Sequence, residues 1–216
     1  MIEGAIFDVD GTIMNSMFIW MDVRFKFLES IGLEPKPQIR DESKDMSLYQ
    51  AACYFKKEYE LSMTVQEIMD AINALIEDFY RYEAVPKEGA IEMLDYLKAN
   101  GVKMCIASAT DKYLLEAAFA RLGMTDYFSE IFTCTLVEHG KDEPHIYRAA
   151  LEHLGTKKEN TYVFEDAYYA IKTAKQDGFK VVSIADSYEP RQKEVQELSD
   201  IYLSNLLDLN KLKEIL

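Results

Sequence analysis

From residue 86 onward the chain alternates short apolar runs with helix-patterned stretches that stop at glycine, and this alternation constrains its fold most. A helical pattern over about 89–100 stops at Gly101, and the run 102–107 follows as a strand. A second helix, 112–122, stops at Gly123 before a short strand at 131–133. A third, about 146–154, stops at Gly155. Residues 161–164 then read as strand, 167–176 as helix, 180–184 as strand, and 201–203 as a last strand before a C-terminal helix. Strands separated by helices of this length predict a parallel sheet covered on both faces.

The first third is patterned differently. Residues 2–7 form an apolar strand candidate that runs into an acidic turn. From 15 to 82 strand signals vanish, and Ile19, Val23, Phe27 and Ile31 recur every four residues before a stop at Gly32. A loop with Pro35, Pro37 and a charge-rich stretch over 40–45 follows. Two more helices are expected at 47–59 and 65–82, the second N-capped by Thr64. The expectation is therefore a doubly wound α/β core, residues 1–15 and 84–216, with an all-helical cap inserted at 16–83.

The 216 residues suit one such core with a smaller insertion, and 49% hydrophobic with 29% charged residues is an ordinary globular balance. A net charge of −14 repels phosphate backbones and anionic lipid, so neither nucleic acid nor membrane is an expected partner. The same charge repels an anionic small molecule unless a local cation or metal receives it. No apolar run approaches the roughly 20 residues of a membrane helix, and the N-terminus lacks the basic flank of a signal peptide. Cys53, Cys105 and Cys134 form no metal or redox spacing. A cytoplasmic enzyme is the expectation, as a monomer or small homo-oligomer.

Ligands of doubly wound sheets bind beyond the carboxyl ends of the strands, and the polar residues gather there. Asp8 and Asp10 follow the first strand, Ser108 and Thr110 the second, Glu165 and Asp166 a later one. In Asp8-Val9-Asp10-Gly11-Thr12 two crowded carboxylates suit a hard cation, a nucleophile and a general acid/base; turn or N-cap aspartates are the alternative. Ser108-Ala109-Thr110-Asp111 opens a helix and offers N–H groups and a hydroxyl to a phosphoryl group, or else caps the helix. Lys141 after Gly140 is either a fixed cation or a solvated lysine. Glu165-Asp166 is either half of a metal site or an N-cap.

Together the four segments resemble the haloacid dehalogenase superfamily, with its Rossmann-like core. The resemblance implies that Asp8 is the nucleophile and Asp10 the general acid/base. It further implies that Ser108, Ala109 and Lys141 hold the phosphoryl group, and that Asp8, Asp10 (through its carbonyl), Glu165 and Asp166 form a Mg2+ site. The helical insert resembles the cap of the β-phosphoglucomutase-like subgroup. Three departures stand out: Asn15 where many relatives have aspartate, Asp142 where proline is usual, and Ala167-Tyr168-Tyr169-Ala170 without the usual serine and glycine.

The implied activity is Mg-dependent hydrolysis of a small phosphomonoester, a sugar phosphate or similar metabolite, through an aspartyl-phosphate. A sugar phosphomutase is the alternative, disfavoured because the acidic loop 41–45 lacks the glycine expected of mutases. A non-catalytic phosphometabolite sensor is a third reading, against which the intact acid pair argues. Lys44 is a candidate substrate contact, with Arg40 beside it. The histidines read as surface residues without acidic partners at ligand spacing, Trp20 and Phe25 as core packing, and Tyr80 as hinge packing.

Overall fold

The computed structural model describes residues 1–43, 46–207, 209–213 and 215. The chain opens with β1 (Gly4–Phe7). Four helices follow: α1 (Met17–Ser30), α2 (Ile39–Ser43), α3 (Leu48–Glu58) and α4 (Val65–Asp78), the last closing in a π-turn at Phe79–Glu83. The remainder runs α5 (Ala90–Ala99), β2 (Lys103–Ser108), α6 (Lys112–Leu122), β3 (Ile131–Thr133), α7 (Cys134–Val137), α8 (His145–Leu154) and β4 (Thr161–Glu165). It ends with α9 (Tyr168–Gln176), β5 (Lys180–Ile184), α10 (Gln192–Leu198), β6 (Ile201–Leu203) and α11 (Asn210–Lys213).

The strands form one parallel sheet in the order β3-β2-β1-β4-β5-β6. The order reverses at β1, where Phe7 lies level with Ile106 on one side and Phe164 on the other. A crevice opens at such a reversal because successive crossovers leave in opposite directions. Side chains alternate across the sheet. Ile6, Cys105, Val163 and Val181 pack with Ile146, Tyr147 and Ala174 on one face. Phe7, Ile106, Phe164 and Val182 pack with Met93, Leu97 and Leu115 on the other. Phe7 stacks on Phe164 with ring centroids 4.3 Å apart, and truncating so central a ring costs about 3–5 kcal/mol.

The helices between β1 and α5 pack around Phe27, Phe55, Ile72 and Ile76, with α4 against both α1 and α3. Two capping boxes set their starts. Ser47 exchanges bonds with Gln50, and Thr64 with Glu67, each cap being worth about 1 kcal/mol. Three local expectations are corrected. The expected helix 65–82 loses α geometry at Phe79 and widens into the π-turn, a distortion common at functional sites. The expected loop 40–45 begins inside α2. The helix α10 was not anticipated, because its two apolar residues, Val195 and Leu198, are too few to set a period.

Candidate active site

The loop after β1 is built to aim two carboxylates apart. The Asp8 N–H continues the ladder by donating to the Phe164 carbonyl at 2.9 Å. The chain then wraps around the Val9 carbonyl, which accepts from the N–H groups of Thr12, Ile13 and Met14 at 3.2, 3.0 and 2.9 Å. Gly11 makes this possible. Its φ is +87°, and a Cβ there would stand 2.4 Å from Asp166 Oδ2, so no other residue fits without displacing that carboxylate.

Asp8, at the end of the central strand, is 7% exposed and accepts from the Lys141 ammonium. Lys141, 2% exposed, also donates to Glu165 Oε2 at 3.0 Å. Carboxylate oxygens of Asp8, Glu165 and Asp166, one from each, lie within 4.8 Å of one another. Asp166 is held by the Thr12 hydroxyl, which donates to its Oδ1 at 2.8 Å. Three buried carboxylates against one ammonium leave two negative charges for a divalent cation to balance. An all-oxygen donor set suits a hard one. Without a cation, burial and then the Asp8 charge push the Glu165 carboxyl up to about 8, against the pull of Lys141. Burial, followed by Asp8 and Glu165, raises Asp166 well above its ordinary range. Burial alone would lower Lys141, but facing Asp8 and Glu165 it is held well above the usual lysine value.

Asp10 lives in a different environment. Three hydroxyls donate to it: Ser16 at 2.6 Å and Tyr80 at 2.5 Å to Oδ1, and Thr110 at 2.6 Å to Oδ2. Tyr80 is in turn held by the Trp20 indole N–H at 2.8 Å. Burial and then the Asp8 charge raise the Asp10 pKa, and the three hydroxyl bonds oppose the rise. Burial and the neighbouring Asp10 push Tyr80 far above its usual value, so its hydroxyl stays a donor.

These groups open into a cavity of about 260 Å3. Asp8, Asp10, Ala109, Thr110, Lys141, Glu165 and Asp166 form its floor. Ser108 is not among the lining residues: it is fully buried, and its Oγ accepts the Thr110 N–H at 3.0 Å. The Asp10 carboxylate stands outside the acidic group that Asp8, Glu165 and Asp166 form. Lys44 and the Arg40 side chain lie outside the described residues.

The sequence reading missed part of this site. Trp20 and Phe25 pack against the core as expected, but their other sides line the cavity. Tyr80, expected to pack a hinge, donates to Asp10; the only sequence clue is a polar-tipped aromatic at the end of an apolar helix. Thr12 and Ser16 carry no signal beyond lying within one turn of the acid pair. The histidine reading is also corrected. His139 Nδ1 and His145 Nε2 meet Glu143 Oε2 at 2.6 and 3.3 Å on the surface, so acidic spacing does exist there.

A doubly wound α/β protein with its acids gathered at the sheet's reversal is the class that fold and site define. The chain belongs to the haloacid dehalogenase-like hydrolases, whose family profile matches residues 5–184. Among its curated relatives is a phosphorylated carbohydrates phosphatase of Thermotoga maritima, 26% identical over 83% of each chain. Another is the fructose-1-phosphate phosphatase YqaB of Escherichia coli, 24% identical over 84% of this chain and 95% of that one. Among solved structures, CbbY of Rhodobacter sphaeroides in complex with phosphate superposes with a TM-score of 0.86 at 20% identity, covering 100% of this chain and 99% of that one. A β-phosphoglucomutase of Clostridium difficile gives 0.79 at 18% identity, covering 100% and 97%. Among the described residues no helix is long and apolar enough to cross a membrane.

Proposed function

We propose that the chain is a magnesium-dependent phosphatase that hydrolyses a small phosphomonoester through an aspartyl-phosphate on Asp8. One observation carries the reading. Two carboxylates two residues apart are held in opposite environments, Asp8 beside an ammonium and Asp10 among three neutral donors. Such a division assigns a nucleophile and an acid/base.

In the first step an Asp8 oxygen attacks phosphorus while the ester oxygen leaves and takes a proton from Asp10. Asp10, ionised by that transfer, then removes a proton from the water that attacks the Asp8 phosphoryl group, and phosphate departs. Lys141 and the Ala109 and Thr110 segment face the phosphoryl oxygens from two sides. Glu165 and Asp166, with Asp8, would hold the magnesium, which supplies charge neutralisation for the approaching dianion. The residues 16–83 act as the cap that covers the floor and reads the alcohol half of the substrate. The phosphatase names of the curated relatives support hydrolysis over isomerisation.

The test is phosphate release from a panel of phosphomonoesters with magnesium and with EDTA, with β-glucose 1-phosphate followed for isomerisation. Release should need magnesium and fall by roughly 10³-fold or more in Asp8→Asn, whose folding should be unchanged. Isomerisation without release would make the chain a mutase. Undiminished turnover by Asp8→Asn would remove the covalent mechanism.

A further inference from the structure

We propose that the alcohol half of the substrate is an apolar aryl or alkyl group rather than a polyhydroxylated sugar, an inference that rests on the phosphatase reading above. The argument starts with α1. Positions i, i+3, i+4, i+7 and i+8 share one helix face, and Met17, Trp20, Met21, Arg24 and Phe25 follow that spacing. All five line the cavity, and all are half-buried. The core is served by other residues of the same helix, Val23, Phe27 and Leu28. Trp20 and Phe25 also lean on that core, so each gives one side to the packing and the other to the cavity above the catalytic floor. Met46 and Leu48 extend this wall, while Tyr188 and Pro190, in the loop before α10, close the other side.

The two arginines and the serine on these walls are engaged with the protein itself. The Arg24 guanidinium donates to the carbonyls of Ser43 and Met46. The Ser43 hydroxyl donates to the Ile39 carbonyl at 2.7 Å. Arg191 donates to Glu189 Oε1 at 2.8 Å and covers the Tyr168 ring at 4.7 Å. A sugar entering this space leaves water for walls that are mostly apolar and whose Arg24, Ser43 and Arg191 donors already have acceptors, so most of its hydroxyls lose bonds without replacement. An aryl or alkyl group loses nothing of the kind and is buried. Three methionine thioethers, flexible and polarisable, adapt to an aromatic ring beside them. A volume of about 260 Å3 fits a small group, being just below the range of drug-sized ligand pockets, which starts at about 300 Å3.

The test compares kcat/KM for benzyl phosphate with that for glucose 6-phosphate and fructose 1-phosphate, all esters of primary alcohols, so leaving-group acidity is matched. Benzyl phosphate should be preferred by about tenfold or more. Equal or better turnover of the sugars overturns the proposal and leaves the phosphatase reading intact. Absence of phosphate release from every ester sinks that reading instead. Calorimetric titration of Asp8→Asn with the same esters then decides the preference without turnover, and tighter sugar binding overturns it. Met21→Gln and Phe25→Ala should each raise KM for benzyl phosphate by about tenfold, with kcat changed by no more than about twofold. Melting curves establish that each variant is folded, and the polar, near-isosteric Met21→Gln serves alone if Phe25→Ala is not. An unchanged KM in the folded variants overturns the proposal.

Discussion

The floor and the helical wall of the cavity are built on opposite physical plans. The floor is assembled from strand ends, with charges buried to within a few percent and each held by a named partner. The wall is largely a single face of α1, half-exposed and mostly apolar, with its one charge, Arg24, held by backbone carbonyls. Chemistry needs atoms fixed to fractions of an ångström, which costs desolvation that only paired charges can offset. Recognition of an apolar group needs shape and dry surface, which flexible side chains provide without such pairing.

Four measurements can break or sharpen that contrast. The largest expected effect is catalytic: Asp10→Asn should lower kcat by about 10²–10⁴-fold while Asp8 accumulates in phosphorylated form, detectable by mass spectrometry. An unmodified Asp8 in a slow variant would show that the acid step limits it, and an undiminished kcat would move the acid/base role elsewhere.

Next is stability. Lys141→Met leaves Asp8 and Glu165 buried without their cation, a loss of about 3–5 kcal/mol that magnesium should partly restore in urea titrations. An unchanged unfolding midpoint would show the floor to be more hydrated than its burial indicates.

The third concerns pH. The folded-state value for Glu165, about 8, lies above its ordinary 4.5, so the folded protein binds that proton more tightly than the unfolded chain. The resulting stability is full below about 4.5 and is lost as pH rises through about 8. In EDTA, melting temperature should therefore fall between about pH 6 and 8.5 more steeply for the parent than for Glu165→Gln. Parallel curves would exclude Glu165 as the source, and magnesium should shrink the difference.

The smallest effect belongs to the seam between the two regions. The Gln50 amide donates to both Asp142 oxygens at 3.1 Å, joining α3 to the loop that carries Lys141. Asp142→Ala should cost no more than about 1 kcal/mol, because the contact is exposed. A larger shift in the thermal melt would make this seam a structural brace.

Legibility in the sequence divides along the same line. The sheet was readable because a parallel strand buried on both faces is a short apolar run, and glycine stops mark the intervening helices at Gly101, Gly123 and Gly155. The floor was readable because its acids fall directly after strands. The wall was not. Apolar residues that face a cavity and apolar residues that face a core look alike in one dimension, so Trp20 and Phe25, which do both, read as packing alone. Tyr80 was hidden for another reason: it reaches Asp10 across 70 positions of sequence, a separation no local pattern records. Asp142, a departure from the family pattern, has its partner in Gln50, 92 positions away in sequence.

The Asp8-bearing strand is synthesised before its neighbours but sits at the middle of the sheet, between strands that arrive much later. Lys141 meets Asp8 across 133 positions, and Thr12 meets Asp166 across 154. During translation β1 must wait, unpaired along both edges, until β2 and then β4 have left the ribosome. Long-range parallel pairing of this kind folds slowly, and a waiting apolar strand is a site for misassociation. The helical insert, whose contacts are local, can form during that delay, before the sheet beside it is complete.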